Sequence, residues 1–538
     1  MVMAWRTMPE DPRPVLAVFV GGAGCAVALI IRWLRKKRIR EKIEKTRRGR
    51  ERALLRMEAS ADRLARQHPV DDPAAILDLP LAELLEKLQS GEVTPEMVLS
   101  TYMGQALEVT RQVNCITDYL PECEAQLVQL QNETVRGPLY GVPISLKDNY
   151  DYKGHDTTLG LKKNLDQPAG DDAIIVQVLK KQGAVPFVKT NVPQSMLNYD
   201  CSNPIFGQTL NPLNYKKTPG GSSGGEGALI AGRGSILGFG SDIGGSIRFP
   251  SAFCGVCGFK PTGNRISKVG VQSSSPGQRA VTAMVGPIAR DVESLVIAMR
   301  ALLCDEMFQL DPTVPPIPFN EKVFSGTGPL RIGYYETDDS TMATPSMRRA
   351  VVQTKQLLER AGHQLVSFTP PAVEKALFDL VMKGLLADGG STFLDNLSVK
   401  DLWKLHQAVE AYRKEFISCW RNEKLDALIC PILGPALGIG YPGKLSTAAS
   451  YTILYNLVDC PVGVLPVTAV TREDEEALRS YRGHHHDFWD KLLNKALADG
   501  VGLPVAVQCV ALPWQEEQCL RLMKEVESVT RMRADKSH

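Results

Sequence analysis

The stretch GSILGFGSDIGGSIRFP, residues 234–250, decides how the rest of the chain is read. Ser235 to Gly240 is a short apolar run with the length of a strand, and it opens into a loop of glycine, serine and two charges. Eleven glycines and four serines lie between Gly220 and Gly245. Glycine is entropically costly in regular structure, so such density needs a physical reason. A flexible linker would be polar throughout, and GALIAG (227–232) and SILGFG (235–240) are apolar runs that want burial. A phosphate cradle would carry GxxxxGK[ST], or GxGxxG opening a helix after a strand, and neither pattern occurs. The reading left is a backbone that closely surrounds a reacting atom.

Outward from this loop the chain alternates strands and helices. YGVPISLKDNY (140–150) reads as a strand with Val142, Ile144 and Leu146 on one face, so Lys147 leaves it on the other. GDDAIIVQVLKKQGAVPFVKTNVP (170–193) reads as a helix stopped at Gly183 and a buried strand. Upstream, two helices are split at Ser90-Gly91, and Thr94-Pro95 starts the second. Downstream, LRIGYYE (330–336), HQLVSFTP (363–370), LDALICPIL (425–433) and GVLPVTAV (463–470) are strands, and a helix capped by Thr344 runs from Pro345 to about Ala361. This grammar predicts an α/β fold whose sheet is covered on both faces. DPTVPPIP (311–318) reads as a rigid connection between the two halves of one large domain, residues 80–538.

Acyl transfer needs a nucleophile, a base and an oxyanion hole. Ser246 is the candidate nucleophile, with the N–H groups of Ile243, Gly244 and Gly245 beside it. No histidine lies between His155 and His363, so a histidine base is not to hand. Residues 221–225 match GxSxG formally, but they lack the strong preceding strand of a nucleophile elbow. Lys147, at its strand end, is the remaining base. A free lysine has a pKa of about 10.4, and bringing it to about 7 takes roughly 4.6 kcal/mol. Burial can supply that.

PGGSSGGEGALIAGRGSILGFGSDIGGSIRFPS (219–251), with GVPISLKD upstream, resembles the amidase signature family. The resemblance implies a large mixed, twisted β-sheet with helices on both faces. It implies a Ser–Ser–Lys triad: Lys147 as base, Ser222 as bridging serine after a cis peptide, and Ser246 as nucleophile. Ser223 would support the bridge, Ile243 to Ser246 would supply oxyanion N–H groups, and Asp242 and Arg248 would brace the loop. Further stretches, among them VPQSMLNYDCSNPIFGQTLNP (192–212) and SYTILYNLVDCPVGVLPVT (450–468), are similar to the lipid-amide branch of the family. That implies hydrolysis of N-acylethanolamines and primary fatty amides by a membrane-bound homodimer, with Met196, Leu197 and Tyr199 lining the acyl channel. No cofactor or metal is implied. One departure stands out: GGSTFLDNLSVKDLWKLHQAVE (389–410) has only a few residues where that branch inserts a hydrophobic helical cap. An amidase for smaller amides and a non-catalytic membrane scaffold are the alternatives.

The chain of 538 residues is 44% hydrophobic and 23% charged, which is ordinary for a globular protein. Its charge is uneven. Residues 32–56 carry a net +10, so the body is negative and is no nucleic-acid binder by charge. Pro14 to Ile31 is eighteen residues without a charge, about 27 Å as a helix. With the basic cluster after it, residues 1–34 are expected to be a single-span anchor and 35–79 a solvated basic helical stalk, the body facing the cytoplasm on an endomembrane such as the endoplasmic reticulum or Golgi. The twelve cysteines have no framework spacing and suggest small buried thiols in a reducing compartment. The lone Cys254–Cys257 pair and the run His484–His486 make no metal site by spacing.

Overall fold

The computed structural model describes residues 12–387 and 397–535, with side chains from Leu29 to Met532. Eleven strands form one mixed sheet in the order Ile116–Tyr119, Val185–Thr190, Pro143–Lys147, Leu237–Asp242, Met284–Ala289, Cys257–Lys260, Val462–Ala469, Pro504–Val510, Ala427–Pro431, Arg331–Tyr334 and Gln364–Ser367. Both faces are buried, and the strands themselves show why. Ala427 and Ile429 enter one hydrophobic cluster while Leu428 and Cys430 enter another; Val507 and Cys509 divide from Ala506 and Val510 in the same way. Alternate side chains thus feed two cores, which is why these strands read as unbroken apolar runs.

Local sequence explains the elements that frame the site. The helix Leu81–Ser90 ends on Gly91 with φ 81°, and the helix Pro95–Val113 starts where the Thr94 side chain accepts from Met97 N. The helix Ile174–Lys181 stops before Gly183, also left-handed, and Val185–Thr190 pairs parallel with Pro143–Lys147. The strand expected at 235–240 lies at Leu237–Asp242, two residues later. Its position is set by parallel pairing with Pro143–Lys147 on one side and antiparallel pairing with Met284–Ala289 on the other. That pairing brings the carboxyl ends of two parallel strands, Lys147 and Asp242, to one edge of the sheet, the usual place for a ligand site in α/β folds.

The expectation of a solvated stalk at 35–79 is corrected. One helix, Pro12–Gln67, spans most of this region and docks on the body, and a short helix, Pro73–Asp78, follows it. Ala53, Met57, Ala61 and Leu64, spaced three or four residues apart, are buried in the main core, an amphipathic stripe that the surrounding charges hid. Arg47 Nε donates to Ile205 O (2.7 Å) and Lys45 pairs with Asp166 (2.8 Å), so part of the basic cluster is spent on the body. Among the described residues no helix is long and apolar enough to cross a membrane; the side chains of most of Pro14 to Ile31 lie outside the described residues. Residues 388–396, within the shortened connection, also lie outside them.

The docked helix gives a direct test. Met57→Ala should lower unfolding stability by about 2–5 kcal/mol in a urea titration, the usual cost of emptying a core methionine site. Leu55→Ala, at a side chain that is 64% exposed, should leave the midpoint nearly unchanged. A solvated stalk would give equal, small effects for both.

Candidate active site

Lys147 ends its strand with a wholly buried side chain. Its Nζ lies 2.8 Å from Ser222 Oγ, 2.9 Å from Ser241 Oγ and 3.1 Å from Ser241 O. Burial lowers its pKa to about 7, against the opposing pull of Asp242, Cys201 and Glu226. Near neutral pH the amine is therefore available in its uncharged form, with a lone pair that can accept from a hydroxyl.

Ser222 follows a cis peptide from Gly221 and is nearly buried at the head of the helix Gly224–Ala231. Two residues into that helix, Glu226 is fully buried and accepts from Ser145 Oγ (2.5 Å) and Thr190 Oγ1 (2.7 Å). These bonds fasten the helix to the strand that carries Lys147 and to its parallel neighbour, Val185–Thr190. Burial raises the Glu226 carboxyl to about 7. A Cβ at Gly238 would lie 1.9 Å from Glu226 Oε2, so the neighbouring strand has a glycine there to admit the carboxyl.

Ser246 is half-buried on the loop after the strand Leu237–Asp242, and its carbonyl accepts from Ser223 N at 3.0 Å. Its Oγ makes no hydrogen bond to another described residue. Ser246 and Ser222 line one cavity of about 710 Å³, together with Ser241, Asn149, Ile243 and Leu197. The structure thus joins Lys147 to Ser222 directly and sets Ser246 against the same space, with the second hydroxyl-to-hydroxyl contact open. Such contacts tighten when substrate closes a site.

The loop is wound around the Asp242 carboxylate. Gly245 N donates to Asp242 Oδ1 (2.8 Å), and Ile247 N to Asp242 Oδ2 (3.0 Å). The Gly245 N–H is therefore committed, which corrects the expectation that it serves an oxyanion. The N–H groups of Ile243, Gly244 and Ser246 make no hydrogen bond among the described residues. Gly245 has φ 122°, and a Cβ there would fall 2.5 Å from the Phe249 ring, so only glycine fits.

Arg248 is buried against Asp242 at 2.9 Å, and its other hydrogens go to Thr452 O, Gln508 Oε1 and Asn456 Oδ1. Burial alone would raise the Asp242 pKa; the adjoining Arg248 guanidinium outweighs it and holds the carboxylate well below its ordinary range. Both the expected brace residues are thus on one fully satisfied ion pair.

Of the residues expected along the acyl channel, Met196 and Leu197 line the cavity. Tyr199 does not: its hydroxyl donates to Leu445 O (2.6 Å) and its ring stacks on Phe249 at 4.8 Å, which places it in the core. Ser223 is fully buried, is not among the residues lining the cavity, and ties its backbone N–H to Ser246 O. Sequence reasoning missed Ser241 and Asn149. Neither has a motif signal of its own; the order of strands in the sheet brings them to Lys147.

The amidase family model matches residues 97–405 and 395–520. Its two pieces overlap at residues 395–405, within the connection expected to be shortened. The chain is 51% identical over 565 residues to fatty-acid amide hydrolase 1 of Sus scrofa, covering 95% of this chain and 97% of the relative. That alignment is longer than the chain itself, so the relative has residues that this chain lacks. It is 37% identical over 503 residues to fatty acid amide hydrolase 1 of Caenorhabditis elegans, covering 84% of this chain and 88% of that one. A solved structure of fatty acid amide hydrolase superposes with a TM-score of 0.81 at 26% identity, over 91% of this chain and 95% of that chain. With the family model matching most of its length and a relative 51% identical over 95% of it, the chain belongs to the amidase family.

Proposed function

We propose that this chain is a serine hydrolase that cleaves fatty acid amides, N-acylethanolamines and primary fatty amides, to free acid and amine. The observation that carries the reading is the buried amine of Lys147, lowered to about 7 and 2.8 Å from Ser222 Oγ. Uncharged Lys147 accepts the Ser222 proton while Ser222 accepts that of Ser246. Ser246 Oγ attacks the amide carbonyl, and the oxyanion forms beside the N–H groups of Ile243, Gly244 and Ser246. Run backwards, the relay protonates the departing amine, without which an amide does not break at a useful rate. Water then attacks the acyl-enzyme, with the same two groups taking its proton.

The lipid chain is supported by the names of the Sus scrofa and Caenorhabditis elegans relatives and by the apolar side chains of Met196, Leu197, Ile243 and Val281 around the cavity. Pro14 to Ile31 and the basic segment after it support a single-span anchor on a cytoplasm-facing endomembrane. The homodimer rests on the family resemblance. A second reading, an amidase for smaller amides, is favoured by the polar residues in the cavity lining, Ser273 to Ser275, Gln278 and Arg279, and by the shortened connection at 389–410.

Four measurements test the proposal. A fluorophosphonate probe should label the full chain, and Ser246→Ala should abolish the label; folded but unlabelled protein would mean a scaffold. Oleamide should be turned over faster than a short-chain amide, and the reverse order would select the second reading. Because Lys147 must be uncharged, kcat/KM should rise through pH 7 to a plateau on the alkaline side. Lys147→Ala should cost about 10²–10⁴-fold on amides and less on esters, whose leaving groups need no proton; equal losses would count against the relay.

A further inference from the structure

The three contacts of Lys147 Nζ differ in kind. The Ser241 carbonyl, at 3.1 Å, can only accept. The two hydroxyls, Ser222 at 2.8 Å and Ser241 at 2.9 Å, can accept or donate. An uncharged amine has two hydrogens and one lone pair. With one hydrogen committed to the carbonyl, the lone pair must face one hydroxyl and the second hydrogen the other. Catalysis through Ser222 requires that Ser241 take the hydrogen.

Asn149 biases that choice. Its side chain is 1% exposed, and its Nδ2 donates both to Ser241 Oγ (3.1 Å) and to Gln272 O (3.1 Å). Gln272 O is a carbonyl, so the chemistry fixes nitrogen, not oxygen, toward Ser241. Gln272 N returns a bond to Asn149 O at 2.8 Å, which pins the residue from both sides. One Ser241 lone pair is filled by Asn149. The Ser241 hydroxyl lines the cavity, where its proton can turn toward water, leaving its other lone pair for Lys147.

We propose that Ser241, oriented by Asn149, is the positioning residue of the general base: its carbonyl and hydroxyl oxygens take two Lys147 hydrogens and leave the lone pair to Ser222. When the proton arrives, the same three oxygens receive the three hydrogens of the ammonium. The step balances within the chain, since one proton moves from Ser222 to Lys147 and nothing else is gained or lost. The inference rests on Lys147 acting as the base.

The ionisable groups facing Lys147 are Asp242 on the neighbouring strand, Glu226 on the helix Gly224–Ala231 and the Cys201 thiol. All stay in place when Ser241 is changed. Loss of the Ser241 hydroxyl removes an acceptor from the ammonium and adds nothing that favours charge, so the base must become weaker.

The experiment is the pH dependence of kcat/KM for oleamide with the full chain, comparing wild type, Ser241→Ala and Ser241→Thr. The urea unfolding midpoint of each variant reports that the chain is folded. Ser241→Ala should move the acid limb down by about one pH unit, the scale of one charge-assisted hydrogen bond. It should lower plateau kcat at least tenfold with little change in KM, and Ser241→Thr, which restores the hydroxyl, should recover both. A lower rate with an unmoved limb, or no recovery in Ser241→Thr, would overturn the inference and mark Ser241 as ordinary packing. If wild type has no limb near pH 7, or Lys147→Ala keeps its amidase rate, the reading of Lys147 as base fails and this inference falls with it. An unmoved limb in Ser241→Ala beside a normal wild-type profile sinks the inference alone.

Discussion

The architecture depends on one amine kept out of water. Lys147 is fully buried, and its surroundings offer oxygens but no paired carboxylate within hydrogen-bond reach. Desolvation wins over the attraction of Asp242 and Glu226, and the amine falls from 10.5 to about 7. A change of that size corresponds to about 5 kcal/mol between the two protonation states. The cost falls on folding, because a lysine in the unfolded chain keeps its proton and its water. Packing elsewhere must offset it, and the two core clusters on either side of the sheet are where that offset resides.

Glu226 belongs to the same logic. It is as buried as Lys147, and burial drives it toward its neutral form as well. An ionised Glu226 would pull Lys147 back toward the ammonium; a neutral one does not. Its hydrogen bonds to Ser145 and Thr190 span the two parallel strands beside the helix that starts just after Ser222. One buried carboxyl therefore ties the helix behind Ser222 to the strand that ends on Lys147, and with its pKa raised to about 7 it is only partly ionised beside the amine near neutral pH. Gly238 is the sequence trace of this packing, since any side chain there would strike the carboxyl.

What could be read from the sequence was whatever is local. The start at Thr94-Pro95, the stop at Gly91 and the strand ending on Lys147 all follow from residues within a few positions of one another. The glycine-rich segment announced close backbone approach, and Gly245 and Gly238 bear the physical reason. What stayed hidden is set by partners far along the chain. The strand at 237–242 is shifted because its neighbours in the sheet choose its register. Tyr199 lies in the core because Leu445 and Phe249, dozens or hundreds of residues away, claim its hydroxyl and its ring. The docked helix was misread because its buried stripe is narrow and its charges are many. Ser241 was overlooked for the same reason as the rest: no spacing in the sequence pairs it with Lys147, and only the parallel order of two strands does.

The pairing of Asp242 with Arg248 can be understood in the same terms. Asp242 organises the loop by accepting from Gly245 and Ile247, and it does so as an anion within the loop where the proposed mechanism forms its oxyanion. Two like charges about 4 Å apart near a protein surface repel by about 4 kcal/mol, enough to undo the gain from several backbone donors. An unpaired carboxylate would thus shape the hole and oppose its use. Arg248 removes the conflict by neutralising Asp242 in place, and Thr452, Gln508 and Asn456 satisfy the guanidinium's remaining hydrogens so that no charge is left over. Gly245, Ile247 and Arg248 are spent on building the loop; the N–H groups of Ile243, Gly244 and Ser246 stay free because Asp242 takes its donors from the other positions. The loop can then receive a new negative charge at the substrate without having to expel its own.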